Sequence, residues 1–141
     1  MNHLNEFREQ VSAWPGVSTH PHRFGGTEFR FGNAEVGHLH TNGILDIPMP
    51  RAIHDALLKK GLAEQHRWLP DSGWIAFYIR SQKELERGLW LARISYLRYM
   101  LKTSDDPRAL FERERETLQL TAPLADLLEK FVPAHGEAAS A

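Results

Sequence analysis

The sequence predicts an α+β domain in which a mostly antiparallel sheet is covered by helices. Short strand patterns joined by turn signals fill its first half. Single helical patterns interrupt and follow these strands, an order typical of α+β rather than of alternating α/β proteins. A chain of 141 residues that is 42% hydrophobic can bury one core, so we expect one domain.

The first two predicted elements are a helix and an edge strand. Residues 2–13 have the apolar spacing of an amphipathic helix, which Pro15-Gly16 ends. Residues 17–24 are predicted as an edge strand or an irregular lead-in, because Pro21 cannot donate to a ladder.

Three further strands follow, separated by glycine turns. Thr27–Phe31 alternates apolar and polar residues, and Ala34–His40 and Ile44–Met49 complete the set. Asn42-Gly43 is a strong hairpin signal, since both residues tolerate positive φ.

The middle of the chain predicts one helix and two strands. The helix begins near Pro50 and ends near Gly61. Residues 63–69 are predicted as a strand, residues 70–73 as a turn, and the apolar residues 74–79 as a strand inside the sheet.

Three helices are predicted for the rest. Ser81 and Glu84 form a capping box for a helix over about 82–101, and shorter helices follow over about 107–117 and 121–131. We therefore expect a domain over residues 1–102, a helical extension over 103–132 that could serve a homodimer, and a disordered tail over 133–141.

The composition excludes several classes of function. With 17 basic and 18 acidic residues, the net charge of −1 makes nucleic acid an unlikely partner. The absence of cysteine excludes disulfides and thiolate metal sites. The sequence has no apolar run long enough for a membrane span, so we expect a soluble, cytoplasmic protein.

Histidines are the strongest chemical signal. His38 and His40 lie two residues apart on a predicted strand and therefore share one face, as do His20 and His22 if their segment is extended. With His66, and with Asp46 or Glu35 to orient an imidazole, they predict a groove that binds a small ligand. Ordinary surface or structural histidines are the competing interpretation.

Other chemistries fit the same residues less well. His38, His40 and His66 could bind a divalent metal, although histidines in this pattern are common without one. Ser72 is predicted in a turn between strands and not in a nucleophile elbow, so a serine hydrolase is disfavoured. Arginines interleaved with Trp68 and Trp74 could clamp a nucleic acid, an interpretation that the balanced charge disfavours.

The segments GHLH (residues 37–40), DIP (46–48) and PDSGW (70–74) resemble the luciferase-like family domain over residues 14–101. The resemblance carries over no catalytic residue. The chain is too short for the ~250-residue barrel of flavin-dependent luciferases, so we expect no light emission. The order of elements, with Trp74 and Ser95-Tyr96, is also similar to the frataxin-like layout of YjbR-like double-wing domains.

These observations lead to one preferred function and two alternatives. The preferred function is small-molecule binding in the histidine-lined groove by a non-luminescent luciferase-like domain. The alternatives are an enzyme that uses a histidine-bound metal and a module that binds nucleic acid or protein. The sequence does not decide whether a reaction is catalysed.

Overall fold

The computed structural model describes residues 2–22 and 25–134 and has the predicted α+β architecture. Within these residues lie six strands: β1 (Val17–Pro21), β2 (Thr27–Phe31), β3 (Ala34–Leu39), β4 (Ile44–Pro48), β5 (Glu64–Gln65) and β6 (Trp74–Tyr78). The five helices are α1 (His3–Ser12), α2 (Arg51–Lys59), α3 (Gln82–Thr103), α4 (Pro107–Thr117) and α5 (Ala122–Glu129).

The strands form one sheet in the order β1-β2-β3-β4-β6-β5, and every pairing is antiparallel. Strands β1 to β4 are neighbours in both sequence and space, as short turns require. The chain then passes through α2, and β6 pairs with β4. Strand β4 is therefore interior to the sheet, and β1 is an edge strand as Pro21 predicted.

One face of the sheet is apolar and carries the core. Its fully buried side chains are supplied by alternate strand positions: Phe29, Leu39, Leu45, Ile47 and Ile75. Two helices contact this face. The Phe7 ring of α1 meets Phe29 edge-on at 5.7 Å, and Ser95 Oγ of α3 donates to the Val36 carbonyl at 2.7 Å. The opposite face is the polar one.

The predicted strand over residues 63–69 is wrong in length. Only Glu64–Gln65 forms a strand paired with β6, and the chain leaves the ladder after one further bond, from the His66 N–H to the Trp74 carbonyl at 3.4 Å. His66 and Arg67 instead direct their side chains to the polar face, where both contact Asp46. Polar contacts of these two side chains replace the ladder that their alternation suggested.

The turn before β6 forms as predicted. The Ser72 hydroxyl donates to the Leu69 carbonyl at 2.6 Å and accepts from the Trp74 N–H at 3.2 Å. The Asp71 backbone carbonyl accepts from Arg51 Nη1 at 2.6 Å. Ser72 is thus a turn residue, as expected.

The chain forms two compact units, Met1–Ser95 and Tyr96–Ala141, and the division falls inside α3. In the second unit Arg108 Nη1 of α4 donates to Glu129 of α5 at 2.7 Å. Arg23, Phe24 and residues 135–141 of the predicted tail lie outside the described part of the chain. Within that part, no helix is long and apolar enough to cross a membrane.

Candidate functional site

Asp46 lies at the centre of the polar face and has no exposed surface. It pairs with His38 of β3 on one side and with Ala76 of β6 on the other. Residues that pair directly across antiparallel strands point to the same face. Asp46 is therefore a carboxylate held inside the sheet, and such a group requires donors to replace its lost water.

Three imidazoles and one guanidinium supply those donors. The Asp46 Oδ2 atom lies 2.7 Å from His40 Nε2, 3.3 Å from His38 Nε2 and 3.4 Å from His66 Nε2. Arg67 donates from Nη1 to Oδ1 at 2.9 Å and from Nη2 to Oδ2 at 3.1 Å. We name these residues, together with His22, the Asp46 cluster.

Glu35 joins this cluster through an irregularity in β3. Residues three apart on a regular strand point to opposite faces. Here Phe29 pairs with Gly37 but Arg30 pairs with Glu35, so Val36 is an extra residue in the ladder. This bulge returns Glu35 to the polar face, where its Oε2 atom lies 2.6 Å from His38 Nδ1.

His20 and His22 both lie on the polar face, as predicted, but they have different contacts there. The His22 ring stacks on His38 with centroids 4.0 Å apart and meets His40 edge-on at 5.7 Å. His20 pairs with Glu28 in the sheet, and its Nε2 atom hydrogen-bonds Ser18 Oγ at 2.9 Å. The structure thus places His22 in the cluster and His20 outside it.

The segment after β5 covers the cluster with aromatic and cationic groups. The His66 ring packs 6.0 Å from Trp74, and the Arg67 guanidinium lies 4.6 Å from the Trp68 ring. Trp68 is 72% exposed, which is unusual for so large an apolar side chain. The polar face therefore has an indole ring at its open side.

The tautomer of His66 follows from its backbone contact. The Trp68 N–H donates to His66 Nδ1 at 3.2 Å, so Nδ1 must be an acceptor. A neutral imidazole with an accepting Nδ1 carries its proton on Nε2. His66 is thus oriented to direct Nε2–H towards Asp46.

The charges of the cluster are strongly coupled. Burial would raise the pKa of Asp46, but hydrogen bonds from His38, Arg67 and His40 hold it well below its usual range. Burial would lower the pKa of His38, but Asp46 and Glu35 outweigh that effect and raise it to about 9. Asp46 is therefore ionised and His38 is an imidazolium near neutral pH.

Two other imidazoles, those of His22 and His66, have lowered pKa values. Burial lowers the pKa of His22, and the neighbouring His38 and His40 lower it further. Burial also lowers the pKa of His66, and Arg67 and His38 add to this effect against the attraction of Asp46. Near neutral pH these two rings are uncharged.

Part of the cluster has the spacing of metal ligands. His38, His40 and Asp46 each offer one ligand atom, and these atoms lie within 4.8 Å of one another. The predicted third ligand, His66, is not in this group. Two imidazoles and one carboxylate are a donor set used by transition-metal sites.

A pocket of about 240 Å³ adjoins the cluster. Arg67 and Ala76 line it, and both also neighbour Asp46. Its other walls include apolar residues and two glutamates: Ile44, Leu62, Ala63, Glu64 and Glu84. A small molecule in this pocket would contact Arg67 directly.

Of the predicted site residues, six meet on one face: His22, His38, His40, His66, Asp46 and Glu35. Arg67 and Trp74 were not among the predicted residues of this site, although both contact cluster members. The signal in the sequence that could have indicated Arg67 was its position directly after His66.

Arg67 is paired with a carboxylate, that of Asp46, as Arg30 is paired with Glu28 and Arg51 with Asp55.

Fold and site together define a class of protein. It is an α+β domain whose six-stranded antiparallel sheet carries helices on one face and a buried aspartate ringed by histidines on the other. The family model described as Luciferase domain matches residues 33–95. The resemblance predicted from GHLH, DIP and PDSGW is therefore confirmed over residues 33–95, where the chain is similar to this family.

The matched segment runs from β3 into α3 and contains every member of the Asp46 cluster except His22. The comparisons with curated proteins and with solved structures gave no match. The similarity to YjbR-like domains stays a prediction.

Proposed function

We propose that this luciferase-like domain binds a small polar ligand over the Asp46 cluster. The observation that carries the proposal is the convergence of His38, His40 and His66 on one buried carboxylate oxygen, at 2.7 to 3.4 Å. Polar groups are costly to bury, and a fold that needed only stability could place apolar residues there.

The accessible parts of the cluster favour a weakly acidic aromatic ligand. The side chains of His40 and Arg67 are 16% and 31% exposed, so imidazole and guanidinium groups can reach a bound molecule. A guanidinium pairs well with a carboxylate or phenolate. Trp68 offers an exposed ring for stacking. Phenols and small aromatic acids combine these features.

The adjoining pocket supports a ligand of modest size. Its volume of about 240 Å³ is below the usual range for drug-sized molecules. The antiparallel sheet differs from the parallel (β/α)₈ barrel of flavin-dependent luciferases. We therefore infer that the domain binds its ligand without emitting light.

The test is a screen of phenols and small aromatic acids by saturation-transfer NMR, followed by affinity measurement with the best probe. The double variant His38→Ala/His40→Ala should abolish binding of that probe while circular dichroism still shows a folded protein. The matched control is His3→Ala/His20→Ala, which removes two histidines outside the cluster and should bind normally.

Two results would overturn the proposal. One is full probe affinity in the His38/His40 variant, which would place the binding site elsewhere. The other is unfolding of that variant together with normal probe affinity in the single variant His40→Gln, which would make the histidines structural.

A further inference from the structure

We propose that His38, His40 and Asp46 bind a divalent first-row transition metal ion. This inference builds on the proposed function, because the metal would occupy the same polar face and offer open positions to the ligand. Metal binding can nevertheless be measured without any ligand.

The distances suit a shared ion. Ligand atoms bound at 2.0–2.2 Å in tetrahedral geometry lie about 3.3 Å from one another. His38 Nε2 is 3.3 Å from Asp46 Oδ2, and His40 Nε2 is 2.7 Å from the same oxygen. The second distance needs a small outward shift of the His40 ring, whose side chain is partly exposed.

The outer contacts are those that orient metal ligands. A histidine that binds metal through Nε2 commonly hydrogen-bonds a carboxylate through Nδ1. His38 Nδ1 lies 2.6 Å from Glu35 in this arrangement. Arg67 Nη1 holds Asp46 Oδ1 at 2.9 Å, which leaves Oδ2 for the ion once Nη2 is displaced.

His66 is excluded from the ligand set by its hydrogen bond. Because its Nδ1 accepts from the Trp68 N–H, its Nε2 carries a proton and has no lone pair for a metal. The inferred ligand set therefore differs from the His38, His40 and His66 set predicted from the sequence and consists of two imidazoles and one carboxylate. Such a three-ligand set retains open coordination positions.

The charges allow a second cation beside Arg67. The carboxylates of Asp46 and Glu35 outnumber the Arg67 guanidinium among the groups that contact the ligand histidines and Asp46. Metal binding through Nε2 releases the proton that His38 carries as an imidazolium, and the divalent ion then meets a net negative charge from the two carboxylates and the guanidinium. Arg30 is engaged by Glu28 and does not change this balance.

The experiment is a titration of full-length, untagged, chelator-treated protein with Co²⁺. Calorimetry and visible absorption monitor the binding, and Zn²⁺ serves as the competitor. We expect one ion per chain. His40→Ala should weaken the affinity about a hundredfold, and Glu35→Gln about tenfold. His66→Gln and His20→Ala should bind within about twofold of the wild type. Circular dichroism checks each fold, with His40→Gln as a second variant.

The absence of saturable Co²⁺ binding would overturn the inference, and so would wild-type affinity in a folded His40 variant. A loss in His66→Gln as large as that in His40→Ala would overturn the ligand assignment. These failures are separable from failure of the proposed function, because probe binding is measured on metal-free protein. Probe binding without Co²⁺ binding removes only the metal.

Discussion

At the residue scale, Asp46 is a fully buried charged group that depends on its hydrogen-bonding partners. Its carboxylate is fully buried, and the donors that surround it come from two separate segments, one with His38 and His40 and the other with His66 and Arg67. Removing one member of a buried ion pair leaves the other uncompensated, which costs several kcal/mol. The free energy of unfolding of the domain should therefore depend on the contacts among these few side chains.

This dependence gives the first prediction. Asp46→Asn removes the charge that His38 and Arg67 need, so the free energy of unfolding should fall by about 3 kcal/mol in urea denaturation. Asp71→Asn is the matched control, because Asp71 is exposed and contributes only its backbone carbonyl to a hydrogen bond. The free energy of unfolding of Asp71→Asn should stay within about 0.5 kcal/mol of the wild-type value. Equal losses in the two variants would contradict the central place of Asp46.

The second prediction concerns pH. The pKa of His38 is raised to about 9 in the folded protein, above the ordinary 6.5 expected when unfolded. Its protonation therefore contributes stability that is fully present below pH 6.5 and lost as the pH rises through about 9. The loss should be on the order of 3 kcal/mol.

Urea denaturation of metal-free protein between pH 6 and 10 measures this loss, with His38→Gln as the comparison. The wild-type stability should fall over that range, and the variant should lack most of the slope. A slope unchanged in His38→Gln would show that another group titrates.

At the scale of elements, the turn before β6 approaches the segment between β4 and α2 so closely that only glycine fits. A Cβ on Gly73 would lie 1.9 Å from the Met49 carbonyl oxygen, which is backbone and cannot rotate away. A Cβ on Gly88 in α3 would lie 2.6 Å from Ile79 Cδ1, at the end of a flexible side chain.

Gly73→Ala and Gly88→Ala should therefore differ. Gly73→Ala should destabilise the protein by more than about 2 kcal/mol, whereas the gain in helix propensity at Gly88 offsets its milder crowding to within about 1 kcal/mol. Thermal and urea unfolding measure both. A Gly73 variant as stable as the Gly88 variant would contradict the close approach.

Helix caps give a second comparison at this scale. The Asp106 side chain accepts from the Ala109 N–H at 3.2 Å, whereas the Thr121 side chain makes no capping hydrogen bond. Asp106→Ala should cost about 1 kcal/mol, and Thr121→Ala only a few tenths. Urea denaturation would contradict this account if the order of the two losses were reversed.

The strands and helices also show how much of the fold could be predicted from the sequence. Alternation and turn residues located β2 and the hairpin at Gly43, and a proline at N1 located α4. The length of β5 could not be predicted, because tertiary contacts of His66 and Arg67 override their strand pattern. Regular strand periodicity would put Glu35 on the face opposite His38, and the bulge at Val36 is what brings Glu35 to the predicted groove.

At the scale of the whole molecule, the two faces of the sheet have different roles. One face meets α1 and α3 through Phe29 and Val36, and the other gathers the Asp46 cluster. Pairs such as His38 and His40 were visible in sequence because strands alternate. The role of Arg67 was not visible, since it depends on a contact across 21 positions.

The most direct test of ligand binding at the Asp46 cluster is a long-range ¹H–¹⁵N spectrum of the imidazole nitrogens, recorded near pH 7.5 with and without the best probe. We expect an imidazolium at His38, an Nε2-protonated neutral ring at His66, and probe-induced shifts at His22, His38, His40 and His66. His20 and His54 should keep their positions. Free-imidazole spectra for the cluster, or probe shifts confined to His20 and His54, would contradict these expectations.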